Sequence, residues 1–200
     1  MAAARRSIIE AARDLIVERG FHHTSVDDIA AKAGVSRATC YYQFKSKNGI
    51  LDAVIADAQN KAPVTLRSRI RHPTTLPRPI DNIRLLIADI CRIWEQDRPL
   101  FRKVMTLGEV DPEVREVIEE REQERSAAID AISYRLIATY QRRATVEALW
   151  ALTSFLVFDS IRRHASFDEV VEMLTGMAVT VVDPEEMWKI PRRGDEDEAP

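Results

Sequence analysis

The chain has 200 residues, 46% of them hydrophobic and only six of them Gly, which provides for one or two packed domains and argues against a loop-rich fold. The net charge is −3, but residues 1–49 carry +3 and the remainder −6, so a basic head sits on an acidic body. That asymmetry suits a small module that meets an anion, carried by a domain with other duties.

No apolar run reaches the roughly 18 residues of a membrane span. The first apolar stretch, MAAARRSIIEAARDLI, is interrupted by charge, unlike a secretory signal. A cytoplasmic location with no membrane partner is therefore expected. There, Cys40 and Cys91 read as two buried thiols rather than a disulfide.

A first helix is expected over roughly 3–19, where Ile8, Ala12, Leu15 and Ile16 repeat at the 3–4 spacing of one buried face. Gly20 supplies its C-terminal stop. Ser25 opens S-V-D-D, a Ser-x-x-acid capping signature, for a second helix over about 26–33 that ends at Gly34. Ser36 caps a third helix over about 37–44, and Ser46 a fourth that buries Ile50, Leu51, Val54 and Ile55. Helix, short Gly turn, helix is the helix-turn-helix pattern.

The third helix, RATCYYQF, has two faces. Cys40 and Phe44, four apart, form its core side. Ala38, Thr39 and Tyr42 lie opposite, flanked by Arg37 and Tyr41. Small residues permit close approach to base edges, and a phenol hydroxyl can reach a phosphate. The competing reading, that one tyrosine packs against the first or fourth helix, stays open.

After Ala62 the segment RHPTTLPRP reads as a loop. Helices are expected at about 80–96, 99–107, 112–141, 145–164 and 167–182, and residues 191–200 read as a disordered acidic tail. The stretch ALWALTSFLVF is apolar almost all round a helix and needs cover on more than one side. A second copy of the chain would provide it through Leu149, Leu152, Phe155, Leu156, Val170, Leu174, Met177 and Val181. The alternative is a central core helix within one chain.

The run F-x-x-T-S-V-x-x-I-A-x-x-A-G-V-S-R-x-T-x-Y-Y-x-F-x-S-K, from Phe21 to Lys47, resembles the tetracycline-repressor-like (TetR) family of bacterial transcription regulators. The resemblance spans about residues 5–55 and implies an all-α fold. Residues 1–48 would be a three-helix DNA-binding head, and 49–190 a helical regulatory and dimerisation domain. It also implies a homodimer on a palindromic double-stranded DNA operator, released by a small-molecule effector of unknown identity. Arg37, Ala38, Thr39, Tyr41 and Tyr42 would face DNA, and Lys47 would meet a phosphate at a helix N-terminus. Thr24 or Ser25 would reach the DNA backbone, and Ser36 and Gln43 complete the DNA-facing set. Arg37 is left between a base and a phosphate.

Three departures from the family pattern stand out. Cys40 replaces a larger aliphatic residue, Gln43 replaces a frequent His, and Gly49 is expected to soften the start of the fourth helix, since Gly costs about 1 kcal/mol in a helix interior. Candidate effector contacts are Cys91, Trp94, Phe101, Met105, Tyr134, Tyr140 and Trp150. With no obvious buried charge cluster, an apolar or amphipathic effector is expected. No nucleophile elbow, phosphate loop or Cys/His metal spacing occurs, so no catalytic residue, metal or cofactor is expected. The alternative function is a helical protein-interaction module that has lost DNA binding.

Overall fold

Serine hydroxyls start three helices of the N-terminal segment at the predicted places. In the computed structural model, which describes residues 2–62, 76, 79–133 and 142–182, α1 spans Ala2–Arg19 and α2 Val26–Ala33. Ser25 and Asp28 complete a reciprocal capping box on α2. Gly34 ends that helix in the left-handed region, at φ 68°. Ser36 caps α3 (Arg37–Phe44) and Ser46 caps α4 (Lys47–Asn60). The remaining described helices are α5 (Pro79–Gln96), α6 (Arg98–Gly108), α7 (Pro112–Ser133), α8 (Arg142–Leu152), α9 (Phe155–Arg162) and α10 (Phe167–Val182). The described residues are all-helical, as expected. No single helix among them is long and apolar enough to cross a membrane.

Contacts divide the chain into two units. The first holds the described residues of Met1–Leu66 and Arg92–Arg125. In it α1 packs on α2, α4 and α6, while α3 packs on α2 and α4. Ile8, Ile16, Ile29, Cys40 and Leu51 are buried among these helices. Two ion pairs tie the helices together. Arg13 grips the buried Asp97 through Nε and Nη2 at 2.8 and 2.9 Å, and Asp97 also caps α6 by accepting from Leu100 N–H. Arg121 of α7 donates to Asp52 of α4 from Nε at 2.9 Å. Trp94 and Phe101 meet edge to face with centroids 5.0 Å apart.

The second unit holds the described residues of Arg67–Cys91 and Ser126–Pro200. There α10 packs on both α8 and α9. The continuous helix expected over 145–164 is instead two helices bent by 45° between Leu152 and Phe155. Thr153 Oγ1 turns back to the Leu149 carbonyl at 2.6 Å, and Ser154, in an extended conformation, caps α9. Side-chain oxygens that compete for backbone groups break the apolar run. The long helix expected over 112–141 is described only to Ser133, and the acidic tail lies outside the described residues.

Several charged side chains are buried among the described residues. Asp89, Asp97, Asp111, Arg125 and Asp159 are all buried. Asp97 and Asp111 accept from first-turn N–H groups of α6 and α7, Arg125 pairs with Glu122, and Asp159 with Arg163. Caps and ion pairs let such groups be buried with partners.

Candidate nucleic-acid interface

Helix α3 turns its core side inward as its spacing demands. Cys40 is fully buried and Phe44 nearly so, with Arg5 of α1 lying 4.4 Å from the Phe44 ring centroid. Burial pushes the Cys40 thiol above its ordinary pKa, and the Asp27 charge adds to this. The opposite face is open. Tyr42 is 68% exposed and Tyr41 39%, while Ser36, Arg37 and Ala38 are exposed and Thr39 and Gln43 half-buried. Neither tyrosine is core. Ser36 Oγ accepts from Thr39 N–H at 3.1 Å and lies 2.8 Å from Thr39 Oγ1, so cap and first-turn hydroxyl form one polar edge.

Arg37 is held rather than loose. Its Nη1 donates to Asp27 Oδ2 at 2.7 Å, and its guanidinium carbon lies 5.5 Å from the Tyr41 ring centroid. Sequence reasoning missed Asp27. A carboxylate in the first turn of α2 is usual for a helix N-terminus, and nothing in its spacing announces a partner ten residues on.

Two expected contacts look different in three dimensions. Thr24 is fully buried and donates its hydroxyl to the Gly20 carbonyl at 2.8 Å, so it stabilises the α1–α2 turn and cannot reach DNA. Ser25 remains exposed but is engaged in the capping box. Lys47 is half-buried, its Nζ 4.0 Å from the Phe21 ring centroid. Burial lowers its pKa, while Asp111 and Glu113 act in the opposite sense. Nearby, His22 Nε2 approaches Asp111 Oδ2 at 3.2 Å, and Asn48 donates to Glu113 at 3.3 Å.

Gly49 proves to be a steric necessity. A Cβ there would stand 2.0 Å from the Phe44 carbonyl oxygen and 3.2 Å from its carbon. The chain leaves α3 through Lys45 at φ 66°, a conformation that few non-glycine residues adopt, and re-enters a helix at once. Only a residue without a side chain fits so close to the preceding helix end.

This architecture can be set beside known proteins. Residues 8–54 match the family model described as bacterial regulatory proteins, tetR family. The HTH-type transcriptional regulator UidR of Escherichia coli is 24% identical over 189 residues, covering 88% of this chain and 93% of that protein. Residues 8–54 belong to the TetR family. That is a family of regulators rather than enzymes. An uncharacterized HTH-type regulator of Bacillus subtilis, YvkB, is 38% identical over 56 residues, and there the match spans only 28% of this chain and 30% of YvkB. The likeness in fold extends further than that local match. FadR from Bacillus subtilis, solved in complex with stearoyl-CoA, superposes with a TM-score of 0.63 at 20% identity, over 89% of this chain and 97% of FadR.

The expected effector contacts fall in both units. Trp94 and Phe101 are buried together in the first unit, with Met105 half-buried on the same helix as Phe101. Cys91 is buried and Trp150 exposed in the second unit, and Tyr134 and Tyr140 lie outside the described residues. The expected interface residues also divide. Leu149, Phe155, Val170 and Leu174 are buried within the single chain because α10 packs on α8 and α9, so they are core and cannot meet a partner. Leu152 is half-buried. Leu156, 64% exposed, and Met177 and Val181 remain open, joined by Met173, which the sequence did not single out.

Proposed function

We propose that this chain is a DNA-binding transcriptional regulator acting as a homodimer on a two-fold symmetric operator, with DNA affinity lowered by a small-molecule effector. The observation that carries the reading is the two-faced α3: thiol and phenyl ring inside, guanidinium and both phenols outside. Such a helix can enter a major groove with Arg37, Ala38 and Thr39 at base edges and the phenols of Tyr41 and Tyr42 at phosphates. Ser36, Gln43 and Ser25 contribute hydroxyl and amide groups to the DNA backbone. Lys47 swings from the Phe21 ring to a phosphate. Lys47→Ala therefore lowers the slope of log affinity against log salt by about 0.9, and an unchanged slope removes Lys47 from the contact.

The dimer reading rests on Met173, Met177 and Val181, exposed at four-residue steps along α10, with exposed Leu156 on α9. A second copy offers the same stripe, and self-complementary burial is how two-fold interfaces form. The effector reading draws on FadR, which binds stearoyl-CoA in its crystal. A ligand that favours one arrangement of the dimer over another needs a coupling of only about 1–3 kcal/mol to regulate DNA binding.

Selection of bound sites from random duplex DNA by the full-length chain tests the reading. The expected product is a two-fold consensus with half-sites about 34–36 Å apart or a multiple of that. A pool with no enriched sequence would defeat it and leave the helical interaction module.

A further inference from the structure

The bond between Asp27 and Arg37 is not explained by folding. The two side chains are 61% and 58% exposed, and exposed pairs of this kind contribute little stability. Asp27 is not the capping residue of α2 either, because Ser25 and Asp28 fill both sides of the capping box. The effect of the bond is geometric. Arg37 opens α3, while Asp27 lies on α2, the other helix of the motif. Nη1 is fixed on Asp27 at 2.7 Å, Nη2 lies 3.5 Å from the Tyr41 hydroxyl, and the guanidinium carbon stands 5.5 Å from the Tyr41 ring centroid. A long side chain with many rotamers is thereby held from two sides, and its Nε–H makes no bond among the described residues.

A carboxylate on a face that meets a polyanion is repelled unless its charge is answered. Were Arg37 a phosphate ligand, the phosphate would compete with Asp27 for the guanidinium and stand beside a second negative charge. A base edge makes no such demand. Guanine offers two neutral acceptors, N7 and O6, to the major groove, and a guanidinium has enough N–H groups to serve them while keeping its carboxylate.

We propose that Asp27 is a positioning residue for base reading, fixing the guanidinium of Arg37 so that the arginine selects a guanine in each half-site. This rests on the DNA-binding reading above. Asp27 touches no DNA in this scheme and acts through the orientation of Arg37, much as an outer carboxylate orients a metal-binding histidine.

The test compares the full-length wild type with Asp27→Asn, Arg37→Ala and the double variant. Each goes through site selection from random duplex DNA, followed by titration of the wild-type consensus, its single-base substitutions and an unrelated duplex. Asp27→Asn is expected to lose the guanine preference at the same symmetric position as Arg37→Ala, with discrimination there falling about tenfold and other positions kept. The double variant should lose nothing further. Affinity of Asp27→Asn for the unrelated duplex should hold or rise, because a negative charge has left the DNA-facing side. An Asp27→Asn consensus that keeps its guanine overturns the proposal, as does a loss at a different position or an equal loss at all positions. A wild type that enriches nothing overturns the DNA-binding reading itself, and the two failures are thereby told apart.

Discussion

The head helices α1–α4 and the C-terminal helices α8–α10 differ in where their instructions lie. In the head, the starts of α2, α3 and α4 are each set by a serine whose hydroxyl meets its own helix, so the information is local. In α8–α10 the apolar residues are so numerous that periodicity cannot say which face is covered by the same chain. The structure answers by burying Leu149, Phe155, Val170 and Leu174 and exposing Leu156, Met173, Met177 and Val181. Local polar signals therefore specify a small, definite module, whereas a uniformly greasy segment specifies only that something must cover it.

That contrast can be broken most forcefully at the α3–α4 turn. Gly49→Val is expected to destabilise the protein by about 3 kcal/mol or more in urea unfolding, because the new side chain meets backbone that cannot yield cheaply. A neutral result would mean that α4 starts elsewhere. Asp97→Asn keeps the shape and a capping oxygen but removes the charge opposite Arg13. With one partner buried and the other about a third exposed, the loss should be about 2 kcal/mol, read from the same unfolding midpoint.

The C-terminal helices should respond in assembly rather than in folding. Met177→Glu is expected to weaken self-association at least about tenfold, or about 1.4 kcal/mol, in sedimentation, with the unfolding midpoint of the monomer nearly unchanged. A variant that associates like the wild type would assign the α10 stripe to another partner. The smallest effect belongs to acid. The Ser25 hydroxyl and backbone N–H, with Arg19 adding to them, hold the Asp28 carboxyl down to about 2 from 3.8. Its stabilising contribution is therefore present above pH about 4 and is lost as pH falls toward about 2. Asp28→Asn should flatten that part of a stability-against-pH curve measured by thermal unfolding.

How much could be read beforehand follows the same division. The Ser-x-x-acid box at Ser25, the caps at Ser36 and Ser46 and the inward pair Cys40 and Phe44 were legible because each depends on neighbours within four residues. Thr24 was misread as a DNA contact because sequence gives its polarity but not the carbonyl that takes its hydroxyl. Gly49 looked like a weakness, since its role depends on the path of the chain five residues earlier. The break at Ser154 had a local sign, the Thr-Ser pair within an apolar run, outweighed by the hydrophobicity around it. Asp27 was invisible as a partner of Arg37, because that bond exists only once α2 and α3 are packed.

The two thiols open one further route. Cys40 is buried in the first unit and Cys91 in the second. A sealed sulfhydryl reacts with an alkylating reagent only when the structure around it opens. Labelling rates at the two sulfurs therefore clock the breathing of each unit separately within one unmodified polypeptide, and comparing them with and without bound DNA reveals which of the two is quietened.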